Sequence, residues 1–266
     1  MISIVMTYYE RQEQLIKTLR SIAESAFKSF EVVIVDDASP HEISLPELPF
    51  QVTVIRIPPE GKTWTNPEPA YNTGILVALA HGASTVILQN AECLHVGDIL
   101  SESSRIEKGQ YISFGCFSIN EKATKEDADV HNLIKANNFG ASHDGQNAWY
   151  NHPVHRPVGY DFCSAIRVAD LVKLNGYDER FSQGMGYGDD YFKRRTMMLG
   201  LNLLITERPY VVHQWHYTGE GVPDNKNELV ERNRRLFTEL VKDNEYRAVH
   251  LYTPDFERIT NKPVAR

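Results

Sequence analysis

Apolar positions in the first ninety residues alternate between two rhythms. Ile2-Ser3-Ile4-Val5-Met6 is a short apolar run, and Glu10 to Glu24 then carries Leu15, Ile16, Leu19, Ile22 and Ala23 at helical spacing. Phe30-Glu31-Val32-Val33-Ile34-Val35 is a β-branched strand that stops at Asp36-Asp37-Ala38-Ser39-Pro40. A third strand fits Val52 to Ile57, bounded by Pro49 and Pro58-Pro59; residues 68–82 read as a helix and Thr85-Val86-Ile87-Leu88 as a fourth strand. Strands separated by helices at this spacing predict βαβ units and a parallel sheet. Such sheets bind ligands beyond the carboxyl ends of their strands, which directs attention to the loops after Met6, Val35 and Leu88.

Beyond residue 110 the rhythm changes. Tyr111 to Ile119 reads as a strand, while 120–158 is polar, rich in His and Asn, and without a period. A loop of that length in a compact domain is functional or disordered. A strand at 160–167, helices at 168–175 and 189–199, strand-like runs in Leu203 to Val212 and a charged amphipathic helix at 227–242 complete the pattern.

The 266 residues allow one large domain or two small ones, long enough to fold without disulfide or metal staples. A net charge of −7 argues against a protein built mainly to grip nucleic acid or anionic lipid. Cys93, Cys116 and Cys163 lack C-x-x-C spacing and read as buried thiols of a reducing compartment. No apolar stretch has the length of a membrane span, and the N-terminal run is too short for a signal-peptide core. A cytoplasmic protein without integral membrane contact is expected.

Two nucleotide motifs fail. Gly61-Lys62-Thr63 resembles the end of a phosphate loop, but Arg56 stands where its leading glycine belongs. Gly184-Met185-Gly186-Tyr187-Gly188 runs straight into Asp189-Asp190, whose carboxylates would repel a pyrophosphate. Asp36-Asp37 at a strand end fits either a turn or a pair of acceptors for a base and ribose. Glu92 is a loop acid or a hard oxygen ligand for Mg²⁺ or Mn²⁺, to which the i, i+3 pair His213 and His216 could add nitrogen. Asp189-Asp190 fits a helix N-terminus, or a general base delivered by the flexible glycine segment before it.

Taken in order, Ile4 to Arg11, Val33 to Ser39, Ala70 to Ile75, Leu88 to Glu92, Asn175 to Phe181, Gly188 to Arg195 and Val212 to His216 resemble the family 2 glycosyltransferases. That resemblance implies a GT-A fold: an α/β, Rossmann-like, mostly parallel central sheet flanked by helices. It would occupy residues 1–217, with 120–158 as an acceptor-side loop and 218–266 as a C-terminal helix and tail. It implies an inverting transfer of a hexosyl or pentosyl group from a nucleoside-diphosphate sugar to an acceptor hydroxyl on a glycan, lipid-linked sugar, protein or modified base.

Carried over by position, Thr7, Tyr9, Glu10, Arg11, Asp36, Asp37, Asn72 and Asn90 would bind the nucleotide-sugar. Glu92, His213 and His216 would hold Mn²⁺ or Mg²⁺, and Asp189 or Asp190 would be the base. Trp149 and Tyr150 are expected on the acceptor side, where aromatic faces stack on sugars. The sequence departs from the family's D-x-D metal motif, which reads Asn90-Ala91-Glu92, and from its E-D base motif, which reads Asp189-Asp190. The first departure keeps open a catalytically impaired nucleotide-sugar-binding or scaffolding module.

Overall fold

The computed structural model describes residues 1–142, 145–217, 224–253 and 256–260. Strand β1 (Ile2–Tyr8) leads through helix α1 (Gln12–Ala23) to β2 (Phe30–Asp37), followed by β3 (Gln51–Ile57), α2 (Glu68–Ala80) and β4 (Thr85–Asn90). These four strands run parallel, with Tyr8 opposite Asp36, Asp36 opposite Arg56, and Thr7 opposite Asn90. Parallel neighbours end at the same edge, so the polar residues that follow each strand meet there.

Alternate residues of β1 serve two cores. Ile2, Ile4 and Met6 pack with Leu15, Leu19 and Ile22 of α1; Val5 packs with Val33, Val35, Ala70 and Ile75 on the α2 side. Helices on both faces leave all eight residues of β2 buried, which is why that strand runs apolar instead of alternating. Gly74 lets α2 seat deeply: a Cβ there would lie 2.5 Å from Val5 Cγ1 and 3.0 Å from Val35 Cγ2.

The chain turns at Ala91-Glu92 into β5 (Cys93–Val96) and continues through α3 (Ile99–Ser103), β6 (Gln110–Ser118), α4 (Glu121–Lys125), α5 (Val130–Ala136), β7 (Ala148–Asn151) and β8 (Cys163–Arg167). Helices α6 (Val168–Leu174) and α7 (Gly188–Met198), strand β9 (Asn202–His213), helix α8 (Lys226–Leu240) and strand β10 (Glu257–Thr260) follow. The sheet order is β10-β3-β2-β1-β4-β8-β6-β9-β5, with β7 on β6. β8 is antiparallel to β4 and β6, while β9 is parallel to β6 and antiparallel to β5. The result is the expected α/β class, a parallel centre flanked by helices and extended by mixed strands.

Three short elements escape the sequence pattern: β5, α3 and β10 span only four or five residues each, too few to show a period. The unpatterned 120–158 stretch is not one loop, because it holds α4, α5 and β7. Asn120 and Asp129 cap the two helices through side-chain oxygens, and β7 pairs with β6. After α8 the chain returns along the body. Ala248 N donates to Leu174 O and Glu179 N to Val249 O, and β10 pairs with β3 at the far edge. No helix among the described residues is long and apolar enough to cross a membrane.

Candidate active site

Residues after β1, β2 and β3 line a cleft of about 440 Å³ that includes Thr7, Tyr9, Arg11, Asp37, Lys62 and Trp64. Its acid is fully partnered: Asp37 Oδ1 accepts from Trp64 Nε1 at 2.9 Å and Oδ2 from Lys62 Nζ at 2.8 Å. Lys62 Nζ also sits 5.3 Å from the Tyr9 ring centroid. Asp36 is 1% exposed, and its Oδ1 accepts from Ser39 N at 3.0 Å. Its Oδ2 has no partner among the described residues, and burial raises its carboxyl above the usual range.

Beside this cleft stands Glu92, on the turn between β4 and β5. Strand β5 pairs with the end of β9, setting Cys93 opposite His213, so the turn and the β9 exit meet. Glu92 Oε1 lies 3.3 Å from His213 Nε2 and 3.5 Å from His216 Nε2, while Oε2 accepts from Arg11 Nη1 at 2.9 Å. Burial alone would raise this carboxyl, but Arg11 and the two imidazoles outweigh it and hold it well below the usual range. Burial also depresses His216, favouring the neutral imidazole that can act as a ligand. One donor atom from each of Glu92, His213 and His216 falls within 4.8 Å of the others. A carboxylate with two imidazoles is a donor set that could hold a divalent transition-metal ion. A larger cavity of about 640 Å³, lined by Arg11, Gln214, Trp215 and His216 among others, opens on the α1 side of this cluster.

On the other side lies a cavity of about 210 Å³ lined by Glu68, Tyr71, Asn90, Asp161, Phe162 and Asp189, among others. Asp189 enters from the first turn of α7, directly after Tyr187, whose left-handed backbone (φ 64°) bends the chain into the helix. Burial, then Asp161 and Asp190, push its carboxyl up to about 7. Asp161 is likewise raised by burial and accepts from the Tyr177 hydroxyl. Asp190 also has a counter-ion: its Oδ1 lies 3.7 Å from Lys193 Nζ. Glu68, the first residue of α2, is 3% exposed and pushed up to about 8, first by burial. Its Oε1 accepts from Asn66 Nδ2 at 3.2 Å and its Oε2 has no partner among the described residues.

The family model for Glycosyl transferase family 2 matches residues 3–80. S. aureus TarS 1–349 in complex with UDP superposes with a TM-score of 0.59 at 11% identity, covering 91% of this chain and 64% of that one. GalNAc-T7 with UDP, GalNAc and Mn²⁺ gives 0.58 at 16% identity, covering 91% and 50%. The catalytic domain of Drosophila beta1,4galactosyltransferase 7 in complex with xylobiose gives 0.50 at 11%, covering 86% and 79%. Residues 3–80 are similar to glycosyl transferase family 2, and the chain has the GT-A fold of these structures. It spans less than two thirds of the TarS and GalNAc-T7 chains. No curated protein matches its sequence.

Within this GT-A sheet the residues singled out by sequence divide three ways. Thr7, Tyr9, Arg11 and Asp37 line the nucleotide-sized cleft; Glu92, His213 and His216 form one cluster; Asn90 and Asp189 line the small cavity. Glu10 is near but engaged, its carboxylate accepting from His41 N and meeting His41 Nδ1, both at 3.0 Å. Asn72 lies apart from the nucleotide cleft. Its amide is consumed in tying α2 to the 177–179 segment, with Nδ2 donating to Tyr177 O and Glu179 Oε1 and Oδ1 accepting from Tyr177 N. Trp149 and Tyr150 are 3% and 4% exposed, so neither ring face is open to an acceptor. Trp149 packs on Phe117 and Tyr210 and donates to Asn138; Tyr150 stacks on Phe162. Their aromatic character serves the core under β6 and β7.

Four residues of the site went unread: Lys62, Trp64, Glu68 and Asp161. Lys62 was visible only as part of a failed phosphate loop. Glu68 resembled an ordinary acid in a helix first turn, where the dipole welcomes it. Trp64 and Asp161 carried no local signal, since their places depend on packing against β2 and α7.

Proposed function

We propose that the protein is an inverting glycosyltransferase moving a sugar from a nucleoside-diphosphate sugar to an acceptor hydroxyl, with residues 1–217 as the transferase body and 218–266 as a C-terminal helix and tail. One observation carries this reading: Glu92 bridges the two cavities the reaction needs. It bonds Arg11 of the nucleotide-sized cleft and is approached at 3.4 Å by Asn90 Nδ2 of the cavity that holds Asp189. The bound molecules named for the similar structures, UDP among them, support a nucleotide-sugar donor.

In this reading Thr7, Tyr9, Arg11 and Asp37 contact the nucleotide, with Lys62 and Trp64 fixing the Asp37 carboxylate as an acceptor for base or ribose. Glu92, His213 and His216 would hold Mn²⁺ or Mg²⁺, which when bound offsets charge on the leaving diphosphate. The acceptor oxygen bonds to the anomeric carbon as the bond from that carbon to the diphosphate oxygen breaks, and the nucleoside diphosphate leaves with the electron pair. Asp189 takes the hydroxyl proton. A carboxyl pushed up to about 7 is a stronger base than an exposed aspartate, about half ionised at neutral pH and largely ionised in mildly alkaline solution. Asp190, engaged with Lys193, is the weaker candidate for that role.

The test is a thermal-shift screen of UDP, GDP and their sugars with and without Mn²⁺. A Mn²⁺-dependent stabilisation by at least one of them is expected, about 2.7 kcal/mol at a hundred times Kd. No stabilisation by any would overturn the donor-site assignment. A nucleotide-sugar-binding module without turnover is favoured by the Arg11 guanidinium on Glu92, a cation already placed beside the ion's carboxylate. Turnover that is present in the wild type and lost in both Asp189→Asn and Asp190→Asn would exclude it.

A further inference from the structure

We propose that the cavity between α2 and α7 is a subsite for a single uncharged, hydroxyl-rich sugar ring, and that Glu68 is the residue that selects it. This deepens, and rests on, the transferase reading. The volume, about 210 Å³, is roughly seven waters' share of liquid and admits one ring. Its polar lining is carboxyl, phenol and amide: Glu68, Asp161, Asp189, Tyr71, Tyr160 and Asn90. No Lys, Arg or His is among the described lining residues. A carboxylate- or phosphate-bearing sugar would find no cation among the described lining residues and would face the Asp189 and Asp161 carboxyls, whereas hydroxyls find acceptors in those two and a flat wall in Phe162.

Glu68 is fitted to this cavity from α2, not from α7. A Cβ on Gly188 would lie 1.9 Å from Glu68 Oε1, so the absence of a side chain at 188 makes the room that the glutamate fills beside Asp189. Asn66 holds the arrangement, donating to Glu68 Oε1 and to Gly186 O while accepting from Gly186 N. Glu68 Oε2, buried and unpartnered, is the spare polar atom. The groups facing this carboxyl are acidic: Asp189 from α7 and Asp178 from the loop before it, with Asp161 and Asp190 around Asp189. Among such neighbours it keeps its proton in neutral solution, so it can donate to a sugar oxygen while an ionised Asp189 accepts.

The test compares glucose with glucuronate and galactose with galacturonate, each titrated by saturation-transfer NMR into the protein with UDP and Mn²⁺ present. At least one neutral hexose is expected to bind about tenfold or more tightly than its uronate. Glu68→Ala should lose that binding and Glu68→Gln, which keeps a donor and an acceptor, should restore it. Wild-type affinity should fall as pH rises through about 8, where Glu68 ionises, and the E68Q affinity should not follow that fall. Equal binding of the uronate, an E68Q variant as defective as E68A, or no binding of either hexose while UDP still binds would overturn the subsite. Hexose binding that persists when UDP and Mn²⁺ fail to stabilise the protein would instead overturn the donor reading and leave the subsite standing.

Discussion

The two halves of the sheet treat their acids in opposite ways. At the ends of β1 to β3, Asp37 is neutralised by Lys62 and Trp64, and Asp36 is tied to the Ser39 amide. Between α2, β8 and α7, Glu68, Asp161 and Asp189 face one another, and burial pushes each carboxyl upward. The first arrangement pairs Asp37 on both oxygens and leaves Asp36 alone raised by burial. The second destabilises the charged forms, which in the proposed mechanism makes Asp189 the base and Glu68 a proton donor. Glu92 sits between them, a buried carboxylate held ionised by Arg11, His213 and His216.

The contrast breaks most visibly at Asp189. Asp189→Asn should lower kcat/KM for transfer by about 10²–10⁴, measured with whichever donor the thermal screen identifies. The same variant should be more stable than wild type at pH 8. A carboxyl raised in the folded state contributes fully below its unfolded value of 3.8, and that contribution is lost as pH rises through about 7. The expected gain is about 4 kcal/mol by urea denaturation at pH 8, vanishing near pH 4. An Asp189→Asn protein less stable than wild type at pH 8 would contradict the stacked-acid description.

Glu92→Gln should act next most strongly, reducing the Mn²⁺-dependent part of nucleotide stabilisation by about tenfold or more in apparent affinity. Nucleotide binding without metal should change far less, because Arg11 stays in the cleft. Equal loss with and without Mn²⁺ would mean that Glu92 serves only to anchor Arg11. Lys62→Met sharpens the other side of the comparison with the smallest effect. It strands Asp37 with one partner, which should cost about 1–3 kcal/mol of stability and weaken UDP binding, without moving the pH dependence of turnover.

What could be read in advance follows the same division. Every strand and helix of the first ninety residues except those too short for a period was visible, and Thr7, Arg11 and Asp37 line one cleft because parallel strands deliver the residues at their ends to a common edge. Asn72 misled because a polar residue near that edge was credited to the ligand, when its amide is spent on Tyr177 and Glu179. Trp149 and Tyr150 misled because an aperiodic, polar stretch hides a four-residue strand whose neighbours bury them.

The sequence alone determined the alternation of strand and helix, the parallel centre and the acids and histidines available for chemistry, since periodicity and chain order suffice for these. Tertiary structure decided which of them meet. Antiparallel pairing of β5 with β9 carries His213 and His216 to Glu92 across more than a hundred residues. The missing side chain of Gly188 admits Glu68 beside Asp189. Burial then determines which carboxyls keep a charge and which keep a proton, because desolvation depends on neighbours in space and not on neighbours in the chain.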